Sequence, residues 1–221
     1  AGIVAGCITS TGLASKLLRA IVSASGGVMI VALLLTMVCC IVLGMGVPTT
    51  ATYCIMAATC APILMSPDIG VEMLAAHFFV FYFGIVADIT PPVALAAYAG
   101  AAIAKAGPMK TAFNASRLAI AAFIVPYIIA MNPAMLFINT TIPEVVMITI
   151  SSIIGIFGVA AGLSGFVFRD MKWWERILCI VGGLTLLVPG SLTDLIGLVL
   201  VGAVCVLGYQ AAKKEKEMLA A

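Results

Sequence analysis

The sequence predicts an all-α membrane protein, a multi-helix bundle that contains a re-entrant helical hairpin and a broken transmembrane helix. Three observations support this prediction: the composition, the length of the apolar segments, and two proline-containing interruptions. Of the 221 residues, 64% are hydrophobic and 9% are charged, whereas a soluble domain is about 45–50% apolar and about 25% charged. The mean hydropathy is +1.26. A soluble core of this size could not bury so much apolar surface, so most of it must face lipid or other membrane helices.

The apolar segments are interpreted as helices because none of them shows the alternating polarity of a barrel strand. A helix needs about 20 apolar residues to cross the hydrocarbon core of a bilayer. The candidate segments, in chain order, are 3–25, 28–43, 51–65, 73–87, 93–104, 118–137, 145–168, 173–188 and 195–209.

The distribution of basic residues orients these segments, because loops rich in Lys and Arg remain in the cytoplasm. The groups predicted to be cytoplasmic are Lys105, Lys110 and Arg117; Arg169, Lys172 and Arg176; and Lys213, Lys214 and Lys216. The stretches predicted to face outside contain no Lys or Arg: 66–72, 138–144 and 189–191. With this orientation, residues 88–92 break a helix near mid-membrane. If residues 28–43 also start from the outside, residues 44–50 form the tip of a hairpin that enters and leaves on that side.

These two interruptions contain the candidate ion- and substrate-binding residues. Unpaired backbone groups in hydrocarbon cost several kcal/mol each, so non-helical backbone persists only beside protein or a water-filled cavity. The freed carbonyl groups and the Thr hydroxyls are hard oxygen ligands for a small cation, and helix N-termini attract anions. Paired discontinuous helices are typical of ion-coupled transporters. The candidates are Gly44, Gly46, Val47, Pro48, Thr49, Thr50, Asp88, Ile89, Thr90, Pro91 and Pro92.

Within this set, Thr49 and Thr90 are the candidate sodium ligands, and Asp88 is the candidate charge partner of the cation. A carboxylate at bilayer depth costs about 2.5–3.5 kcal/mol on insertion scales and usually lines a cavity or an ion path. Two alternatives remain open. Asp88 could cap a helix, and the prolines could be kinks that only shape the bundle.

Other residue patterns exclude several classes of function. The seven cysteines lie in apolar stretches without a CxxC pair and are interpreted as packing residues, as is His77. No phosphate-binding loop and no basic run for nucleic acid occurs, and no cofactor is expected. An intramembrane enzyme would require a dyad of Asp88 and His77, whose separation along the helix argues against it. Small residues at Ala96, Gly100 and Ala104, and at Gly158 and Gly162, predict faces for close helix packing.

Three strings of residues resemble the large permease subunit of tripartite ATP-independent periplasmic (TRAP) transporters. They are GMGVPTTA at 44–51, HFFVFYF at 77–83 and DITPPVALA at 88–96. The resemblance extends over residues 2–137, and the chain is similar to the fused permeases that work with a TAXI-type substrate-binding protein. Residues 138–221 resemble the additional transmembrane tail of some fused permeases.

The resemblance implies an elevator-type transporter with two inverted repeats, of which residues 1–137 form the second. It implies symport of an organic anion, such as a carboxylate, with a coupling cation that is usually sodium. A periplasmic binding protein would deliver the anion to a multi-pass permease in a bacterial or archaeal cytoplasmic membrane.

The chain begins at Ala1 rather than Met, and its first ten residues show no basic region followed by a cleavage site, so it is expected to be part of a longer polypeptide. The resemblance implies that the first repeat lies on an N-terminal permease part, without which this chain is not expected to transport. A channel-like or other membrane bundle without ion coupling remains the alternative. A channel would be expected to show a pore-lining repeat.

Overall fold

The computed structural model describes residues 3, 6, 7, 10–138, 140–188 and 190–220, without the side chains of 13, 14, 191, 214–216 and 218–220. Three parts of the predicted topology therefore lie outside the described residues. They are Asn139 of the outer segment, Pro189 of the outer turn, and the side chains of Lys214 and Lys216. The chain divides into two compact units, Ala1–Leu136 and Phe137–Ala221.

Every regular element of the first unit that the structure describes is a helix. The α-helices are α1 (Leu13–Ser25), α2 (Met29–Gly44), α3 (Thr49–Thr59), α4 (Ala61–Leu64), α5 (Met73–Val86), α6 (Leu95–Ile103), α7 (Pro108–Leu118) and α8 (Ile120–Met131). Two short 3₁₀ helices, Ala87–Ile89 and Pro133–Leu136, follow α5 and α8. The predicted all-α membrane bundle is confirmed.

Helix α5 lies at the centre of this unit and packs against α2, α3 and α8. Phe79 and Phe83, one turn apart on α5, are fully buried, and their ring centroids lie 4.7 Å from each other. Tyr127 of α8 lies edge-on to Phe79 at 5.2 Å. Packed aromatic side chains bury a large apolar area. These three rings therefore hold α5, the helix that precedes the predicted break, in the centre of the core.

The lengths of α2 and α3 agree with a hairpin that does not cross the membrane. Helix α2 has 16 residues and α3 has 11. At 1.5 Å per residue α2 is about 24 Å long, which is less than the hydrocarbon core of about 30 Å. Residues 51–65, predicted as one run, divide into α3 and α4 at Cys60, two residues before Pro62.

The structure differs from the sequence prediction between residues 105 and 137. Residues 105–117, predicted to be a loop, mostly form α7, because Pro108 supplies a preset φ at the first helical position. Residues 118–137 do not form one span: α8 covers only Ile120–Met131, and it meets α7 at an angle of 40°. Pro133 disfavours helix at the residue before it and so ends α8 there.

The second unit contains α9 (Ile142–Ser164), α10 (Trp173–Thr185) and α11 (Ser191–Ala220), with one isolated β-bridge between Phe166 and Asp170. The predicted packing face at Gly158 and Gly162 is confirmed. A β-carbon on Gly158 would lie 3.1 Å from the Cys179 carbonyl oxygen. A β-carbon on Gly162 would lie 2.7 Å from the Arg176 carbonyl oxygen. The absence of side chains at these positions lets α9 and α10 approach closely.

The corresponding prediction for Ala96, Gly100 and Ala104 is wrong within the described part of the chain. A β-carbon on Gly100 would have nothing within 4 Å. Ala96 and Ala104 are both exposed. Small residues permit close packing only where a partner helix is present, and this face has none among the described residues.

Two helices among the described residues have the length and composition to cross a membrane, Ile142–Ser164 and Leu192–Lys213. The bent pair α7 and α8 would make a third span. The crossing predicted for residues 173–188 contains only the 13 residues of α10 as α-helix, about 20 Å in length. That segment alone is therefore shorter than the hydrocarbon core.

Candidate functional site at the hairpin tip and the helix break

The hairpin tip, residues 44–50, is a tight turn between α2 and α3. Its turn requires Gly46, whose φ of +73° lies in the left-handed region that other residues rarely adopt. The Val47 N–H donates to the Gly44 carbonyl oxygen at 3.5 Å. Pro48, which lacks an N–H, immediately precedes the first helical residue, Thr49. Thr49 and Thr50 thus belong to the first turn of α3 and not to the loop.

Thr52 fixes the backbone of this tip, although its role was missed in the sequence. It is 2% exposed, and its hydroxyl donates to the Val47 carbonyl oxygen at 3.0 Å. The only sequence signal was a hydroxyl residue in the first turn after Pro48, a position from which side chains often bond a nearby carbonyl. Gly44 is buried. Four other residues of the tip are exposed: Gly46, Pro48, Thr49 and Thr50.

The helix break begins where α5 tightens into the 3₁₀ turn Ala87–Ile89. Thr90 then adopts an extended conformation, and its hydroxyl donates to the Val86 carbonyl oxygen at 2.6 Å. The Pro91–Pro92 peptide bond is cis. Helix α6 starts only at Leu95, because two consecutive prolines cannot donate to a helical ladder.

Two hydroxyl groups outside the predicted site hold the backbone of the break. The single proton of the Ser116 hydroxyl, on α7, is shared between the Ile89 carbonyl oxygen at 3.2 Å and the Ala112 carbonyl oxygen of its own helix at 3.0 Å. The Tyr98 hydroxyl, on α6, donates to the Pro92 carbonyl oxygen at 2.7 Å. The sequence analysis identified neither residue: Ser116 lies 27 residues after its partner, and Tyr98, six residues after Pro92, reaches it across the irregular start of α6.

The tip and the break are in contact through glycines. A β-carbon on Gly44 would lie 3.0 Å from the Gly84 carbonyl oxygen and 3.2 Å from the Ala87 β-carbon. The end of α2 therefore lies against the residue that precedes Asp88. Among the described residues, however, no hydrogen bond joins the tip to Asp88 or Thr90. The structure brings Gly44 to the break and leaves Thr49 and Thr50 at the surface of the tip.

Asp88 and Ile89 are half-buried at this junction, as are Thr90 and Pro91, whereas Pro92 is exposed. The two ion pairs in the described part of the chain both lie in the second unit, so Asp88 has no basic partner there. The described residues also contain no group of three or more His, Cys, Asp or Glu side chains that could hold a metal ion. The oxygen atoms available at this junction are carbonyls, hydroxyls and one carboxylate, which are ligands of hard cations.

His77 is paired with a residue of the hairpin and not with Asp88. Its Nδ1 lies 3.1 Å from the Tyr53 hydroxyl on α3. The two side chains line a cavity of about 290 Å³ together with Leu74, Phe78 and Phe81. The pair links α5 to the second arm of the hairpin, in agreement with a packing role for His77.

Comparison with known families agrees with this architecture. The family described as "Tripartite ATP-independent periplasmic transporter, DctM component" matches residues 1–145, and a domain of unknown function, DUF3394, matches residues 145–201. No curated protein and no solved structure matches the chain significantly. The first match spans well over half of the chain and contains both interruptions. The chain therefore belongs to the DctM family and is a membrane permease component of a TRAP transporter.

Proposed function

We propose that the transporter containing this chain imports organic anions, such as carboxylates, by symport with sodium. A periplasmic binding protein, of the TAXI type, delivers the anion, and the N-terminal part of the permease supplies the first inverted repeat. The complete protein works by an elevator mechanism in a bacterial or archaeal cytoplasmic membrane. Membership of the DctM family and the resemblance of the two interruptions support this proposal.

The observation that supports a cation site most strongly is the contact of Gly44 with Gly84 and Ala87. The last residue of α2 packs against the last turn of α5 and the 3₁₀ turn that follows it. Non-helical backbone with oxygen acceptors begins directly after Gly44 and after Ile89. A dehydrated cation needs several oxygen ligands at once. The proposed ligands are carbonyls of residues 44–47 and 88–90 with the hydroxyls of Thr49 and Thr90.

The hydrogen bonds at these residues are compatible with ligation. The Thr90 hydroxyl uses its proton for the Val86 carbonyl, so both of its oxygen lone pairs can face a cation. The Val47 carbonyl oxygen accepts the Thr52 hydroxyl proton, and the Ile89 carbonyl oxygen shares the Ser116 proton with Ala112, so each carbonyl retains at least one lone pair. Each bond also fixes the direction of its carbonyl group.

The Asp88 carboxylate supplies the negative charge in this proposal. It is half-buried and has no basic partner among the described residues. A desolvated charge is expensive unless another charge compensates it. A sodium ion beside Asp88 provides that compensation.

The organic anion is proposed to bind near two helix N-termini. Helices α3 and α6 begin at the tip and after the break, where Pro48 and Ala94 provide no side-chain cap. The first-turn N–H groups and the positive end of the helix dipole attract carboxylates. Both helices lie in the unit that the DctM family covers.

The direct test is the sodium dependence of uptake by the full-length permease, reconstituted with its binding protein. Thr49→Val and Thr90→Val keep the shape of the side chain and delete one ligand, and Asp88→Asn removes the charge. Each is expected to raise the sodium concentration for half-maximal uptake. The matched control is Thr111→Val, because the Thr111 hydroxyl also donates to the carbonyl four residues before it, at 3.1 Å. Unchanged sodium dependence in all three variants would show that the cation site lies elsewhere.

The energy source is tested in the same vesicles. Uptake is expected to follow the ion gradient and to need no ATP, since the sequence contains no phosphate-binding loop. Varying sodium and pH separately distinguishes sodium from proton coupling. Uptake that persists with ATP after all ion gradients are collapsed would contradict the proposal.

A further inference from the structure

We infer that Thr52 and Gly84 are positioning residues that hold the hairpin tip against the helix break, so that oxygen ligands from both segments form one cation site. This inference rests on the proposed function. Neither residue belongs to the candidate set identified from the sequence. Thr52 lies in the first turn of α3, and Gly84 lies in the last turn of α5.

Thr52 makes two contacts with its two γ atoms. Its hydroxyl donates to the Val47 carbonyl oxygen, which belongs to the tip, at 3.0 Å. Its methyl carbon faces α5, where a β-carbon on Gly84 would lie only 3.1 Å from it. Since a β-branched side chain has few allowed rotamers in a helix, one rotamer of Thr52 sets both the direction of a proposed ligand and the spacing of two helices.

Gly84 permits this spacing because it has no side chain. A β-carbon there would also lie 3.1 Å from the Met56 sulfur. The Gly84 carbonyl oxygen in turn faces the Gly44 α-carbon closely, since a β-carbon on Gly44 would lie 3.0 Å from it. Both arms of the hairpin therefore meet α5 at one glycine, one turn before Asp88.

The spacing of the two helices sets the distances between a bound cation and its proposed ligands. Ligands on the tip and on the break must reach the ion at bonding distance simultaneously. A methyl group added at Gly84 forces the neighbouring atoms to move by a few tenths of an ångström. Such a displacement weakens cation binding although every ligand is still present.

The experiment measures the sodium concentration for half-maximal uptake, and the maximal rate at saturating sodium, in the full-length permease with its binding protein. Thr52→Val keeps the methyl contact and deletes the hydrogen bond, and it is expected to raise the half-maximal concentration about fivefold, the equivalent of one hydrogen bond. Thr52→Ser keeps the hydrogen bond and loses only the methyl contact, so it is expected to raise the half-maximal concentration less than Thr52→Val does.

Gly84→Ala is expected to raise the half-maximal concentration as well. Combining it with Thr52→Ser removes one of the two atoms that the new β-carbon would meet at 3.1 Å, the other being the Met56 sulfur, and the double variant is expected to recover part of the sodium affinity. Gly100→Ala is the matched control, because a β-carbon there has open space within 4 Å. In all variants the maximal rate at saturating sodium should be retained, whereas a folding defect would lower that rate instead.

The outcomes separate this inference from the proposed function. If Thr49→Val or Thr90→Val raises the half-maximal sodium concentration while Thr52→Val and Gly84→Ala do not, the positioning role is wrong and the cation site stands. If none of these variants nor Asp88→Asn changes it, the proposed site itself is wrong. If Gly84→Ala fails to fold, the comparison of Thr52→Val with Thr52→Ser decides the question alone.

Discussion

Gly44 and Gly84 lie so close together that a β-carbon on Gly44 would be 3.0 Å from the Gly84 carbonyl oxygen. Gly44 ends the first arm of the hairpin, and Gly84 lies in the last turn of the helix that breaks at Asp88. The contact joins two interruptions that are separated in sequence by three helices, α3, α4 and α5, and a loop. It is the reason that the tip and the break can be considered one site.

Gly44→Ala is expected to destabilise the protein by about 1–3 kcal/mol, the usual cost of overpacking. The added β-carbon would meet backbone oxygen at Gly84, which cannot move as a flexible side-chain end can. Thermal unfolding of the purified protein in detergent measures the effect, with Gly100→Ala as the control. Equal unfolding temperatures for the two variants would contradict the close contact.

Gly183→Ala is expected to destabilise the second unit by at least as much. A β-carbon on Gly183 of α10 would lie 2.6 Å from the Gly155 carbonyl oxygen and 2.7 Å from the Val159 nitrogen, both on α9. The loss is expected to be about 1–3 kcal/mol or more. Gly202→Ala on α11 is the control, since a β-carbon there has nothing within 4 Å. An unfolding temperature equal to that of the control would contradict the close approach of α9 and α10 at Gly183.

Glu175→Gln is expected to destabilise the second unit by about 2 kcal/mol, because a hydrogen-bonded charge is lost. The Glu175 side chain is 5% exposed and accepts from the Arg169 guanidinium at 2.6 Å and from the Lys172 N–H at 2.8 Å. The control is Lys213→Gln, which breaks a 3.9 Å pair with Glu217 whose side chains are both about two-thirds exposed.

An exposed ion pair contributes about 0–1 kcal/mol. The unfolding temperature should therefore fall clearly for Glu175→Gln and hardly at all for Lys213→Gln. A similar fall in both variants would mean that burial adds nothing to the pair of Arg169 and Glu175.

The membrane orientation is tested by labelling single cysteines in a variant that lacks the seven native ones. A cysteine replacing Lys110, on the exposed side of α7, should react only from the cytoplasm, because basic residues stay inside. A cysteine replacing Asp68 should react only from the outside. Labelling of position 110 by an impermeant reagent from the periplasm would overturn the orientation.

The positions of the interruptions could be predicted from the sequence because proline and glycine act locally. Pro48 and the Pro91–Pro92 pair lack N–H donors wherever they occur, so the helices had to stop beside them. The structure accordingly ends α2 at Gly44, starts α3 at Thr49 and separates α5 from α6 around Thr90. The apolar composition likewise indicated a membrane protein, and the lack of alternating polarity in its apolar segments indicated helices.

Residues 105–117 were predicted to be a loop because they contain three basic residues, and this prediction is wrong. Helix α7 is amphipathic: Ala112 is buried, while Lys110 and Arg117 are exposed on its outer side. A surface helix needs only one apolar stripe, so basic residues do not exclude helix.

What only the tertiary structure decided is which small and hydroxyl residues take part in the site. Gly84 and Gly100 are both glycines within apolar helices, yet one lies against Thr52 and Met56 and the other faces open space. Nothing in either local sequence distinguishes them, because the difference lies in which helix packs opposite. The sequence by itself determined where the helices break, since that depends on backbone chemistry at each residue. The packing of α2 and α3 on α5 determined that the two breaks meet, since contacts between distant segments exist only in the folded chain.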